Sequence, residues 1–221
     1  MELTFALAVL AFLVVIDRSL LMRRPPGHVI PGAGDVFESR GEGFTQRILE
    51  RRNGLIWVET TLEPGAGGPP PHIHRGFDER VTVAEGTLHV DLAGGTTVID
   101  AGEELLIPAG ARHRIHNPTT GRTVLRGPLE AEYGLPEEFG VFLAQAYGYF
   151  DETPRHARPP GLLLQMSRWA PRFDTWMAGP PVLAQRLLYL LVGPVAAALG
   201  YRPWYERFAP RRAAAAGRRP A

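Results

Sequence analysis

His72-Ile73-His74-Arg75-Gly76-Phe77-Asp78-Glu79, closed by Gly86, is the stretch that decides how the rest of the chain is read. His72 and His74 are separated by one residue, so on an extended strand, where side chains alternate, both imidazoles project from one face. Glu79 follows after four residues and Gly86 after six more. A second stretch, 102–117, sets Gly102, Pro108, Gly110, His113 and Asn117 apart by five, one, two and three residues. Three imidazoles and one carboxylate form a mixed nitrogen and oxygen donor set. Such a set suits a borderline divalent metal such as Fe, Mn, Ni, Co or Zn and disfavours hard, all-oxygen Ca or Mg sites.

The composition leaves few competing chemistries. A length of 221 residues fits one domain with appendages better than two full domains. All 24 basic residues are arginine. Without lysine there is no Schiff-base chemistry and no Walker-type phosphate lysine. Without cysteine there are no disulfides, thiolate nucleophiles, iron–sulfur clusters or cysteine-ligated zinc. Any metal therefore rests on His, Asp or Glu. A net charge of +1 does not indicate a nucleic-acid partner.

Three zones follow one another. Residues 3–16 carry no charged side chain; Asp17 and Arg18 interrupt the apolar run, and Arg23-Arg24-Pro25-Pro26 closes it. As a helix, residues 3–22 reach about 30 Å, a marginal match to a hydrocarbon core of about 30 Å. An uncleaved anchor over 1–24 is the favoured reading, with an apolar helix packed on the protein's own surface as the alternative. In the second zone, strand-like runs at 55–62, 80–83, 87–92, 96–99, 104–107 and 123–125 alternate with turn signals such as Pro64-Gly65, Glu85-Gly86 and Gly94-Gly95. Many short strands without helices between them predict an antiparallel sandwich or barrel. In the third zone Phe139, Phe142, Leu143, Ala146 and Tyr147 stand at helical spacing, 162–169 can form a second helix, and 182–201 is almost wholly apolar with a break at Gly193-Pro194.

The two stretches resemble the paired motifs of the cupin superfamily, in the germin-like, single-domain form: Gly, five residues, His-x-His, three or four residues, Glu, six residues, Gly; then Gly, five residues, Pro-x-Gly, two residues, His, three residues, Asn. The second motif matches at every fixed position. The first departs only at its opening glycine, where Ala66 stands between Gly65 and Gly67. The resemblance implies a mainly β fold, a jelly-roll barrel over 30–134, flanked by the N-terminal apolar helix, a helical extension over 135–209 and a disordered basic tail over 210–221. It makes His72, His74, Glu79 and His113 the ligands of one divalent transition metal, Fe or Mn being favoured, with positions left open for substrate, water or dioxygen. Proteins with this resemblance include dioxygenases, decarboxylases, isomerases, epimerases and small-molecule sensors, and the fold does not choose among them.

The leading expectation is an oxygenase-type enzyme acting on a small organic substrate chelated at the metal. A metal-assisted isomerase or cyclase, or a non-catalytic ligand-binding module at a membrane, are the alternatives. Glu79 is the candidate catalytic group, as a base when it leaves the metal. Trp57, Glu59, His89 and Arg126 are candidate wall residues. His89 and His116 are expected to point outward, and His28 and His156 to sit in loops. The arginines Arg18, Arg23 and Arg24 on the barrel side of the first segment place the barrel on the cytoplasmic face of a membrane. The Arg-rich C-terminus falls on the same side only if 182–201 lies along the bilayer or packs on protein. A membrane surface, a small-molecule substrate and a second copy of the chain, joined through sheet edges, are the expected partners.

Overall fold

The computed structural model describes residues 2–129, 131–152 and 159–210. His156 and residues 211–221, nearly all of the expected tail, lie outside the described residues.

The strand zone contains β1 (Val36–Ser39), β2 (Phe44–Arg52), β3 (Leu55–Leu62), β4 (His72–Ile73), β5 (Glu79–Glu85), β6 (Thr87–Leu92), β7 (Gly95–Asp100), β8 (Glu104–Ile107), β9 (Arg114–His116), β10 (Thr123–Arg126) and β11 (Leu135–Pro136). Alternation makes these segments strands: Val81 and Val83 on β5, and Leu88 and Val90 on β6, are buried, while Thr82 and His89 between them face the other way. The larger sheet runs β1-β2-β3-β10-β5-β8, with β11 beside β3, and a smaller one runs β7-β6-β9, antiparallel throughout.

The pairings do not close into one barrel, and this corrects the expected closed barrel. The expected mainly β class is corrected to a mixed, strand-rich one, because several helices accompany the antiparallel strands among the described residues. The reason lies in α2 (Glu137–Glu152), which packs along β1 at the sheet edge. Its Phe139, Leu143 and Tyr147 enter the strand core beside Phe44, Leu62 and Leu125, so helix side chains complete the core where further strand pairing would. The other side of α2, with Val141, Ala146 and Tyr149, joins a second core built on Trp169, Phe173 and Trp176. A helix apolar on two sides belongs between two packed layers.

That second core belongs to the extension: α3 (Gly161–Phe173), the short strand β12 (Trp176–Met177) and α4 (Val182–Ala198). The N-terminal helix α1 (Glu2–Leu21) rests on α4. Asp17, which interrupts the apolar run in the sequence, accepts from Arg168 Nη1 through both oxygens, at 2.6 and 2.8 Å, and the same nitrogen donates to Gly193 O at 3.1 Å. All three helices meet at this buried pair. Gly193 and Pro194 do not break α4, contrary to the expected interruption. Gly193 is there for close approach, since a Cβ would come within 2.9 Å of Asp17 Oδ2. Among the described residues, no helix is long and apolar enough to cross a membrane.

Candidate metal centre and its cavity

β4 carries His72, the following residues carry His74, and Glu79 opens β5 after the turn through Gly76. His113 is brought opposite by two backbone bonds with His72, its N–H to His72 O at 3.0 Å and its O from His72 N–H at 2.9 Å. Motif residues that bind nothing set this geometry. Gly86 has φ +79, and a Cβ there would meet Arg122 O at 2.4 Å, so only glycine lets the turn pass. Asn117 is fully buried, donates to Leu62 O, Glu63 O and Gly121 O, and accepts from Thr119, tying the end of the second motif to β3. The Ala66 departure is harmless because the positive φ angles fall at Gly65 and Gly68, and Ala66 packs in the core.

His72, His74, Glu79 and His113 each offer a ligand atom, all within 4.8 Å of one another. Each imidazole has Nδ1 against a backbone carbonyl: His72 with Pro70 O at 2.9 Å, His113 with Ala111 O at 3.0 Å, His74 with Asp174 O at 3.0 Å. A carbonyl only accepts, so Nδ1 carries a proton in each ring, and in a neutral ring Nε2 then keeps the lone pair that a metal takes. His74 Nε2 is buried without a hydrogen-bond partner. His113 Nε2 lies 3.0 Å from Glu79 Oε2, and His74 Nε2 lies 3.7 Å from the same oxygen.

The electrostatics favour a cation among these groups. Burial, reinforced by the neighbouring imidazoles, pushes His72 down to about 3. Burial lowers His74 as well, against the pull of Glu79. Burial alone would raise the Glu79 carboxyl, but the hydrogen bond from His113 and the fields of the three imidazoles outweigh it and hold it at about 2. His113 is raised: burial opposes its charge, and Glu79 overcomes burial. Glu79 thus attracts positive charge, held as a proton on His113 Nε2, and a divalent ion in that place would supply it instead. The donor set therefore fits a transition metal.

The extension takes part in this site. Asp174 follows α3 in the left-handed region at φ 52, presenting its carbonyl to His74 while its Oδ2 accepts from the N–H groups of Arg75 and Gly76 and its Oδ1 from Trp176 Nε1. Directly after it, β12 pairs with β4, setting Trp176 opposite Ile73 and Met177 opposite His72. Phe77 stacks on His74 at 4.5 Å between ring centroids, and Phe139 of α2 meets the same ring edge-on at 4.7 Å.

His72 and Glu79 line a cavity of about 810 Å³ whose walls are mostly apolar, among them Phe44, Ile56, Leu125, Phe139, Leu143 and Met166. Of the candidate wall residues, Trp57 and Arg126 line it. Glu59 pairs with Arg126 at 3.0 Å. His89 and His116 stand opposite one another on β6 and β9, on the face away from Leu88, Val90 and Ile115. His28, after α1, lies 2.7 Å from Glu206. Sequence reasoning missed Asp174, Gln46 and Tyr147 as site residues; Tyr147 was visible only as one apolar position of a helix.

Residues 58–127 match the family model described as the Cupin domain. Among solved structures the chain is similar to an RmlC-like cupin from Shewanella frigidimarina NCIMB 400, at 27% identity over 44% of this chain and 86% of that one, with a TM-score of 0.36. It is also similar to a sugar phosphate isomerase of the cupin superfamily from Silicibacter pomeroyi DSS-3, at 24% identity over 47% and 72%, TM-score 0.36. A third is KdgF from Halomonas sp., at 23% identity over 41% and 81%, TM-score 0.37. No curated protein matches the chain in sequence. With both motifs and all four clustered residues inside the matched span, the chain carries a cupin domain over residues 58–127.

Proposed function

We propose that the protein is a metal-dependent cupin enzyme, in which His72, His74, Glu79 and His113 hold one divalent transition metal and an oxygenase-type reaction acts on a small, largely apolar organic substrate. The observation that carries this reading is the common alignment of the imidazoles: each Nδ1 faces a backbone carbonyl, and one ligand atom of each ring converges with Glu79 to within 4.8 Å beside the apolar cavity. When bound, the metal supplies a Lewis acid with open positions, able to take a chelating substrate and, if it is Fe or Mn, to engage dioxygen. The chain's own part would be to fix the three rings through their Nδ1 bonds, to line the cavity with apolar walls, and to hold the Glu79 carboxylate beside the rings as the candidate proton acceptor.

The experiment is metal analysis of the purified chain together with oxygen uptake across a panel of chelating, apolar substrates. Bound Fe or Mn with substrate-dependent oxygen uptake supports the oxygenase. Turnover with a redox-inert metal and no oxygen uptake assigns a metal-assisted isomerase or cyclase instead. Tight ligand binding without turnover assigns a binding module.

A second part of the reading concerns location. Leu183, Leu187, Leu191 and Val195 recur every four residues along α4, followed by Leu199 just past its end, and all are exposed. Phe5, Val9, Phe12, Ile16 and Leu20 form a similar exposed stripe on α1, which ends beside Arg18 and Arg23. Two adjacent apolar stripes with cations at one end suit the plane of an anionic bilayer at its cytoplasmic face, lying on it without crossing. Flotation with phosphatidylglycerol vesicles should carry the protein upward, less so with phosphatidylcholine alone. Failure to float with either removes the membrane from the account.

A further inference from the structure

The cavity has a second polar point, on its α2 wall and outside the four-residue cluster. Gln46 lies inward on β2, buried, with Nε2 donating to the Tyr147 phenol oxygen at 3.1 Å. Gln46 Oε1 is closed off from solvent and has no hydrogen-bond partner. The same holds for Glu42 Oε2, on the turn between β1 and β2. All three side chains line the cavity. Tyr147 accepts from Gln46, so its own O–H hydrogen is directed elsewhere, and the phenol lies within the fields of both Glu42 and Glu79.

The turn that presents Glu42 is tightly held. Arg40 N and Gly41 N donate to the two carboxylate oxygens of Asp151 on α2 at 2.7 and 3.1 Å, and Glu42 N donates to Ser39 Oγ at 3.3 Å. Gly43 closes the turn at φ +75, where a Cβ would come within 2.9 Å of Ala66 Cβ. The two unmatched acceptors are thus built into the fold, and each is costly when left unmade.

One acceptor, Gln46 Oε1 or Glu42 Oε2, together with the phenol hydrogen describes the complement of a hydroxyl, which has one hydrogen to give and lone pairs to receive. A carbonyl would meet neither acceptor and an ammonium would leave the phenol hydrogen without a partner, whereas a hydroxyl meets one acceptor and partners the phenol hydrogen. We propose that Gln46, Glu42 and Tyr147 form a hydroxyl-recognition site in the cavity wall, selecting a largely apolar substrate that carries an alcohol or phenol O–H. The hydroxyl donates to Gln46 Oε1 or Glu42 Oε2 and accepts from Tyr147. Burial, with the added charge of Asp151, raises the Glu42 carboxyl to about 7, so near neutrality it attracts a cation less than an ordinary carboxylate does. The site rests on the reading of this cavity as the substrate pocket and not on the identity of the metal.

The test uses probes without a chelating group: 1-octanol, octyl methyl ether and octylammonium, titrated calorimetrically into the full-length metal-loaded chain and into Gln46→Leu and Tyr147→Phe. Octanol should bind about 10-fold more tightly than the ether, a difference of about 1.4 kcal/mol. Gln46→Leu should lose most of that preference while its affinity for the ether stays unchanged, which also shows that the pocket is still folded; Tyr147→Phe, which removes the donor that either oxygen accepts from, should weaken alcohol and ether alike. Equal affinity for alcohol and ether, a preference that survives in Gln46→Leu, or tighter binding of octylammonium would each overturn the site. Binding of none of the probes would overturn the pocket reading beneath it. Metal content of the same samples shows separately whether the four-residue cluster holds.

Discussion

Two of the three clustered imidazoles lean on carbonyls two residues away, His72 on Pro70 and His113 on Ala111, whereas His74 leans on Asp174, one hundred residues further along the chain. The strand region therefore carries all four candidate ligands and orients two of the imidazoles by itself. The helical extension orients the third, pairs β12 with the strand bearing His72, and supplies the α2 wall of the cavity. The motif residues specify which atoms converge, and the extension specifies how firmly one of them is aimed and what shape of molecule reaches it. Extension and strand region are one functional unit at this point, even though their cores are distinct.

The comparison can be broken from either side. Removing a ligand from the strand region has the largest effect: His113→Ala should weaken metal binding by more than the 10–100-fold typical of a lost outer-shell contact, with circular dichroism unchanged. On the other side, Arg168→Ala leaves Asp17 buried without its partner where α1, α3 and α4 meet. It should cost about 3–5 kcal/mol in denaturant unfolding. Asp174→Ala joins the two regions. It strips the acceptor from Arg75, Gly76 and Trp176, loosens the carbonyl behind His74, and should lower metal affinity by about 10–100-fold with a much smaller change in stability. If Asp174→Ala binds metal as the parent does, the extension is only a packing partner.

The smallest effect sharpens the cavity side. Glu42 is held at about 7 in the folded chain against an ordinary 4.5, so between those values the folded state keeps a proton that the unfolded state releases. Its raised carboxyl therefore makes stability fall as pH rises from about 4.5 to about 7. Denaturant melts of Glu42→Gln across that range should lack this slope; an identical slope in the variant would place the titration elsewhere.

The sequence makes the four-residue cluster legible because its chemistry lies in short, fixed spacings. β6 is equally legible because its apolar residues alternate over Thr87–Leu92, and β3 and β8 because short apolar runs bounded by turn signals match Leu55–Leu62 and Glu104–Ile107. β2 is hidden because Gln46 occupies one of its inward positions and a bulge between Ile48 and Glu50 interrupts the period. The inward glutamine that hides the strand is itself the polar group of the cavity wall. Asp174 is hidden for a different reason. Its role depends on a carbonyl, which every residue has, and on a contact one hundred residues away, which no local pattern encodes. Asp17 reads as a flaw in an apolar run until Arg168, 151 residues distant, meets it.

X-ray absorption spectroscopy of the full-length chain after saturation with Fe(II) or Mn(II) tests the metal centre most directly. The account predicts one ion per chain, bound by three imidazole nitrogens and a carboxylate oxygen, with the remaining positions filled by light oxygen scatterers. A sample that retains no stoichiometric metal, or whose bound metal shows no imidazole scattering, would contradict it.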